Sequence, residues 1–203
     1  MLNSARKSPR QARSRATVDV ILDATVLVLV AEGFAATTTT RVAERAGVSV
    51  GSLYQYFPNR EALVNAVAHR HDMALQQEVG QTLAAARGAG LRTVLGRGLQ
   101  TVIQVHGRNL ALQRVLVEEA PRLGVRSWVI DPDAYRHTTS RQVFDQHESE
   151  LRSGFNREAA AFLIPNVVGA SIAAATLSRP AAFTSGELET ELTEMIYSYV
   201  AGR

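Results

Sequence analysis

The 203-residue sequence predicts an all-α chain of about nine helices, in which a unit of three helices precedes a larger helical domain. Three observations carry this. Apolar residues recur at helical spacing along almost the whole chain, and no stretch shows the alternation of a strand. Capping residues and glycines cut that pattern into segments of helical length. A glycine-marked loop, Gly88 to Gly90, follows the first four segments.

The first segment runs from about Gln11 to Glu32, with Ile21, Ala24, Thr25, Val28 and Leu29 on one mostly apolar stripe. Gly33 stands where a helix ends in a left-handed residue, and Phe34 turns back toward the core. The run Thr37 to Thr40 favours an N-cap over a helix interior, so a second helix starts here. Gly47 stops it, with Val42, Ala43 and Ala46 on its buried face. Ser49 caps a third helix that carries Leu53 and Phe57 inward beside Val48, and Pro58 ends it. Asn59 caps a fourth, opening with Arg60 and Glu61 and reaching about Arg87.

Beyond the loop, helices are expected at 91–105, 108–119, 132–152, 157–178 and 184–201. Pro121 and Gly124 end one of them, and Asp131-Pro132 pairs a cap with proline at the first helical position. Asn156 caps the next, Thr184 with Glu187 spells a capping box, and Pro165 predicts a kink. The stretch from Pro121 to Ile130 carries the least pattern.

Composition narrows the function. Hydrophobic residues make up 46% of the chain, enough for a sizeable core. No apolar run is read as approaching the ~18 residues of a membrane span, and Val26 to Ala31 is the longest candidate. No signal peptide is read, so the expected location is cytoplasmic, away from any membrane. The absence of cysteine excludes disulfides, thiolate catalysis and cysteine-held zinc. His69 and His71, two apart on a helix, point to nearly opposite sides and do not share a metal. With no nucleophile motif and no glycine-rich phosphate loop, the sequence predicts no catalytic residue, no metal and no cofactor.

The charge is uneven. Residues 1–15 hold Arg6, Lys7, Arg10, Arg13 and Arg15 with no acid, while the rest carries seventeen bases against nineteen acids. Such an arm is either a counter-ion for phosphates or a solubilising tail.

The informative segment is Thr37 to Leu63, TTTTRVAERAGVSVGSLYQYFPNREAL. Two short helices joined at Gly47 form a helix-turn-helix whose second helix fits a major groove about 12 Å wide. Ala43 and Ala46 let the helices approach, while Gly51 and Ser52 keep the front of the third helix slim. Tyr54 and Tyr56 supply planar faces and hydroxyls, and Gln55 offers a paired donor and acceptor to a base edge. Thr39, Thr40, Arg41 and Ser49 suit phosphate oxygens, as does Arg60 at the start of the fourth helix. These ten positions are the candidate DNA contacts.

The segment resembles the DNA-binding signature of the TetR (tetracycline-repressor-like) family. The matching residues are Thr39 and Thr40 before Val42-Ala43, then Ala46-Gly47-Val48-Ser49, Gly51-Ser52-Leu53-Tyr54, Tyr56-Phe57 and Asn59-Arg60-Glu61, with Glu32-Gly33-Phe34 ahead of them. Two departures stand out: Arg60 where the family often has lysine, and Val50 where it often has a polar residue. The charge marks residues 1–14 as a basic, flexible arm, and the resemblance implies a helix-turn-helix domain at 15–67 and a helical ligand-binding and dimerisation domain at 68–203. It further implies a homodimeric repressor released from operator DNA by a small, largely apolar ligand. A ligand-independent regulator or an activator would use the same DNA-binding domain, and a helical small-molecule-binding protein or enzyme is the remoter alternative.

For the ligand, the candidates are the aromatic residues Trp128, Tyr135, Phe144 and Phe162, with His106 and Glu118 as polar anchors. For the dimer they are Ile164, Val168 and Ala175 on one helix and Leu188, Leu192, Ile196 and Tyr199 on the last. From the residues alone these two stripes serve either packing within one chain or a four-helix interface between two.

Overall fold

A computed structural model describes the backbone of residues 9–123 and 135–202, with side chains from 14 to 119 and from 138 to 202. The described residues form ten α-helices and one 3-10 turn, and no strand. They divide into two compact units, Met1–Arg70 and His71–Arg203.

The first unit contains α1 (Pro9–Ala36), α2 (Thr39–Ala46), α3 (Val50–Tyr54) and the opening turns of α4 (Arg60–Ala85). α1 begins two residues ahead of the expected start, so part of the segment assigned to the basic arm is helical. Gly33 interrupts α1 with φ 79° and ψ 174°, a backbone that side chains rarely adopt. The hydroxyl of Thr37 donates to the Gly33 carbonyl at 2.8 Å and helps hold the bend. The predicted stripe Ile21, Ala24, Thr25, Val28 and Leu29 is buried throughout. Val42 and Ala43 from α2, Leu53 and Phe57 from the α3 region, and Leu63, Val64 and Val67 from α4 complete this core.

The second unit holds the rest of α4, α5 (Leu91–Gly107), α6 (Leu110–Leu123), α7 (Tyr135–Gln146), the 3-10 turn (Glu148–Glu150), α8 (Arg157–Ser178), α9 (Ala182–Ser185) and α10 (Glu187–Ala201). α5 packs chiefly on α10, and α8 packs on α7, α6 and α10. Their shared core includes Val94, Ile103, Phe144, Ile172 and Ile196.

The elements differ from the sequence expectation at three places. The helix expected to run to 152 ends at Gln146 and gives way to the 3-10 turn. The last helix is broken by Gly186 at φ 76°, which creates the extra helix α9. Thr184 therefore does not cap α10: its hydroxyl donates to the Ala181 carbonyl inside α9, and the Ser185 hydroxyl accepts from the Glu187 N–H at 3.3 Å. α6 passes through Pro121 to Leu123. α8 has the expected bounds, with Pro165 inside it.

α8 also corrects the reading of hydropathy. Its apolar window has a mean hydropathy of 1.8, long and apolar enough by composition to cross a membrane. Asn166, Ser171 and Thr176 interrupt its apolar residues. Each donates to the backbone carbonyl four residues earlier, which hides its polarity within the helix.

α5 begins at Gly90, which has no side chain with which to cap it. The Glu150 carboxylate does so from 59 residues away, accepting from the Leu91 N–H at 3.0 and 3.1 Å. Beside it, the His147 ring meets the carbonyl oxygens of Val143 and Ala89 at 2.8 and 3.0 Å. Glu150→Ala should therefore lower the unfolding free energy by about 1 kcal/mol, read as a shift of the urea midpoint in circular dichroism.

Candidate nucleic-acid interface

The helix-turn-helix is assembled by its caps. The Thr38 hydroxyl accepts from the Arg41 N–H at 3.1 Å and starts α2. Gly47 ends it in the left-handed region, φ 67° and ψ 27°, with its N–H turned back to the Ala43 and Glu44 carbonyls. Two residues later the Ser49 hydroxyl accepts from the Ser52 N–H at 3.0 Å and starts α3. The Asn59 side-chain oxygen does the same for α4, accepting from Ala62 N–H at 2.8 Å.

α3 anchors itself through Leu53 and leaves its other residues outward. Tyr54 is 52% and Val50 37% exposed. Gly51 and Gln55 are exposed, and Ser52 and Tyr56 half-buried. A Cβ built on Gly51 would come no nearer than 4.0 Å to another side chain, and its φ is not in the left-handed region. Among the described residues nothing therefore requires glycine at this position. The Tyr54 hydroxyl and the Thr39 hydroxyl lie 3.1 Å apart and link the two helices of the motif across the turn. Thr40 is exposed beside them.

Arg41 and Arg60 both have intramolecular partners. The Arg41 guanidinium donates from Nε and Nη2 to Glu32 at 2.8–3.1 Å and from Nη1 to Glu44 at 3.0 Å. These hydrogen bonds hold the Glu32 carboxyl below the usual carboxylate range, against a smaller opposing effect of burial, and raise Arg41 further. The Arg60 guanidinium lies 4.4 Å from the centre of the Phe34 ring and reaches Glu61 at 3.4 Å. Glu32, Glu44 and Phe34 were not among the predicted site residues. The spacing of Arg41 and Glu44, three apart on a helix, was the available signal.

Two family models match the chain. Residues 21–67 match that of bacterial regulatory proteins of the tetR family, and residues 90–199 match the tetracyclin repressor-like C-terminal domain. The chain belongs to the TetR family. Among curated relatives, it is 30% identical over 89 residues to the nucleoid occlusion factor SlmA of Glaesserella parasuis, covering 44% of this chain and 43% of that one. It is 42% identical over 57 residues to the uncharacterized HTH-type transcriptional regulator YvkB of Bacillus subtilis, covering 28% of this chain and 30% of that one. The matches thus span less than half the length of these relatives. The fold is shared with a TetR-like transcriptional regulator from Rhodococcus sp. RHA1, at a TM-score of 0.65 and 19% identity, over 97% of this chain and 100% of that one.

In the second unit of this TetR-family chain, α4, α5, α7 and α8 surround a cavity of about 160 Å³. His106 and Phe144 line it, as do Ile164 and Val168, which the sequence had suggested for a dimer face. Glu118 is exposed and pairs with Arg114 at 3.3 Å, and Phe162 is 52% exposed on α8. Neither is among the residues lining the cavity. Trp128 lies outside the described residues, as does the Tyr135 side chain. Gln76, Thr139 and Ser140 also line the cavity. The sequence carried no signal for them, because they come from helices far apart in the chain.

Of the remaining dimer candidates, Ala175, Leu192 and Ile196 are buried within the single chain, Leu188 is half-buried, and Tyr199 is 37% exposed. The large apolar side chains exposed on the same two helices are Phe162, Leu163, Val167 and Leu177 of α8 and Met195 and Tyr199 of α10.

The lowered Glu32 carboxyl has a pH consequence. Its folded pKa lies below its unfolded one, so the Arg41 pairing stabilises the fold above the ordinary carboxylate pKa. That contribution is lost as pH falls through the lowered value. Protection factors of the α2 amides, corrected for the intrinsic slowing of exchange toward acid, should fall less steeply between about pH 6 and pH 3 in Glu32→Gln than in the parent.

Proposed function

We propose that this chain is a dimeric, ligand-responsive transcriptional regulator that binds operator DNA through α3 and the residues around it. The observation that carries the reading is the outward face of α3, which is slim at Gly51 without any need among the described residues. A small residue with no internal purpose at the front of a surface helix suits close approach to a groove wall. Family membership supports the same reading.

In this reading Gln55 meets a base edge, while Thr39, Thr40, Ser49, Ser52, Tyr54 and Tyr56 contact phosphates or sugars. Arg41 and Arg60 serve the interface by holding α2 and α4, and through their remaining donors at its edge. The arginines of the N-terminal arm add phosphate contacts whose strength depends on salt.

Dimerisation uses the exposed apolar side chains of α8 and α10, with a second copy of the chain as the partner. An apolar flank of this kind on the two helices whose stripes the sequence singles out suits a self-complementary interface. Release follows when a small molecule in the cavity favours one of two conformations of the regulator, which requires different affinities for the two. α4 carries residues of both the first core and the cavity wall, and so can transmit the difference.

A gel-shift against the DNA flanking the coding region tests the first claim. Specific retardation is expected, and Gln55→Ala should cost about 1–3 kcal/mol of affinity with relaxed preference at one base pair. Absence of any specific fragment at low salt would sink the reading. For assembly, sedimentation equilibrium should give twice the 22.0 kDa chain mass at micromolar concentration. The double variant Leu163→Glu with Met195→Glu should sediment as a monomer.

A further inference from the structure

We infer that Val50 is a specificity-determining residue, which selects a thymine in the bound DNA by packing its methyl groups on the thymine C5-methyl. The inference rests on the DNA-binding reading above and adds to it one residue and the base that residue requires.

The position follows from the short helix. Val50 is the first residue of α3, and in a helix-turn-helix the N-terminal residues of the second helix meet the base edges. Ser49 before it is committed to the fold. Its hydroxyl accepts from the Ser52 N–H at 3.0 Å and lies 2.8 Å from the Ser52 hydroxyl. Val50 is 37% exposed, on the same side of α3 as Tyr54 one turn later. The Tyr54 hydroxyl lies 3.1 Å from that of Thr39, so this side of α3 is tied to α2 at the proposed DNA face.

Folding gives a poor account of this residue. Valine is a weak helix former, and α3 has only five residues. An exposed β-branched residue there lowers helix propensity and leaves apolar surface in water. Gly51 beside it is also a weak helix former and also exposed. Two adjacent residues that work against their own helix, both turned outward, mark a surface shaped for something beyond the chain.

The choice of base follows from the chemistry of the side chain. Valine has no hydrogen-bond donor or acceptor, so it matches none of the polar groups of a base edge. The C5-methyl of thymine is the one apolar group that a base pair displays in the major groove. Against the cytosine amino group, or against guanine O6 and N7, the same methyls would exclude water and offer no partner. Val50 thus favours thymine and penalises a G·C pair. Its methyls stand only two bonds from Cα, so contact requires the backbone to come close to the base edges. Gly51 adds no side chain to hold the helix away. The contact is made by methyl groups and asks nothing of the helix amides.

The test takes the DNA fragment retarded in the gel-shift and replaces thymidine with deoxyuridine, one position at a time. Uracil pairs as thymine does and lacks only the methyl. With the parent chain, at least one such replacement should weaken binding about fourfold, the effect of one methyl no longer buried. In Val50→Ser, whose fold is checked by circular dichroism, thymine and uracil at that position should bind equally, while the other positions respond as with the parent. Val50→Asn serves as a second variant if the first does not fold. A uracil penalty that survives the loss of the valine overturns the inference, as does the absence of any uracil penalty with the parent, and both leave DNA binding intact. Failure of the parent to retard any fragment specifically overturns the DNA-binding reading, and this inference with it.

Discussion

Helices of eight and five residues have almost no stability of their own in water, because the cost of nucleation is never recovered over so few turns. The first unit therefore depends on the left-handed turn at Gly47. It lets one short helix stop and another begin within three residues, so that Val42, Ala43 and Leu53 enter a common core. A side chain at Gly47 would be strained whatever the space around it. The hydroxyls of Thr38 and Ser49 satisfy amides that the missing turns would have left open. Outward residues such as Tyr54 and Gln55 owe their positions to this turn rather than to α3, which is too short to direct them.

Local signals were readable from the sequence, and they are the ones that build this unit. Ser49, Asn59 and Asn156 each cap the helix they were expected to cap, since a cap needs only its own residue and the next three. The stripe on α1 was equally plain, because five residues at helical spacing leave one face to bury. What failed involved distance or competition. Glu150 caps α5 from another part of the chain, and no pattern near Gly90 announces it. Thr184 and Glu187 have the spacing of a capping box, yet Gly186 between them takes a conformation that a continuous helix cannot hold.

The second unit shows the same division. Its helices were visible in periodicity, but the assignment of their faces was not. A helix such as α8 is apolar nearly all round, so its sequence does not say which side meets the core, which lines the cavity and which is left outside. Ile164 and Val168 fall on the cavity side, whereas Phe162, Leu163 and Val167 emerge. The polar atoms of the cavity come from helices more than sixty residues apart, as Gln76 and Ser140 illustrate, and only the packed fold brings them together. Ion pairs such as Arg108 with Glu78, bonded at 2.6 and 2.8 Å, then fix α4 to the end of α5.

The composition of α8 also bears on how the chain is made. A segment with the hydropathy of a bilayer span leaves the ribosome ahead of α9 and α10, and α10 is one of the helices that cover it. For the interval in which α10 has yet to emerge, that side of α8 is bare, and any greasy surface competes for it with the unfinished fold. The order of elements along the chain thus makes nascent α8 a natural client for whatever shields apolar chains during synthesis.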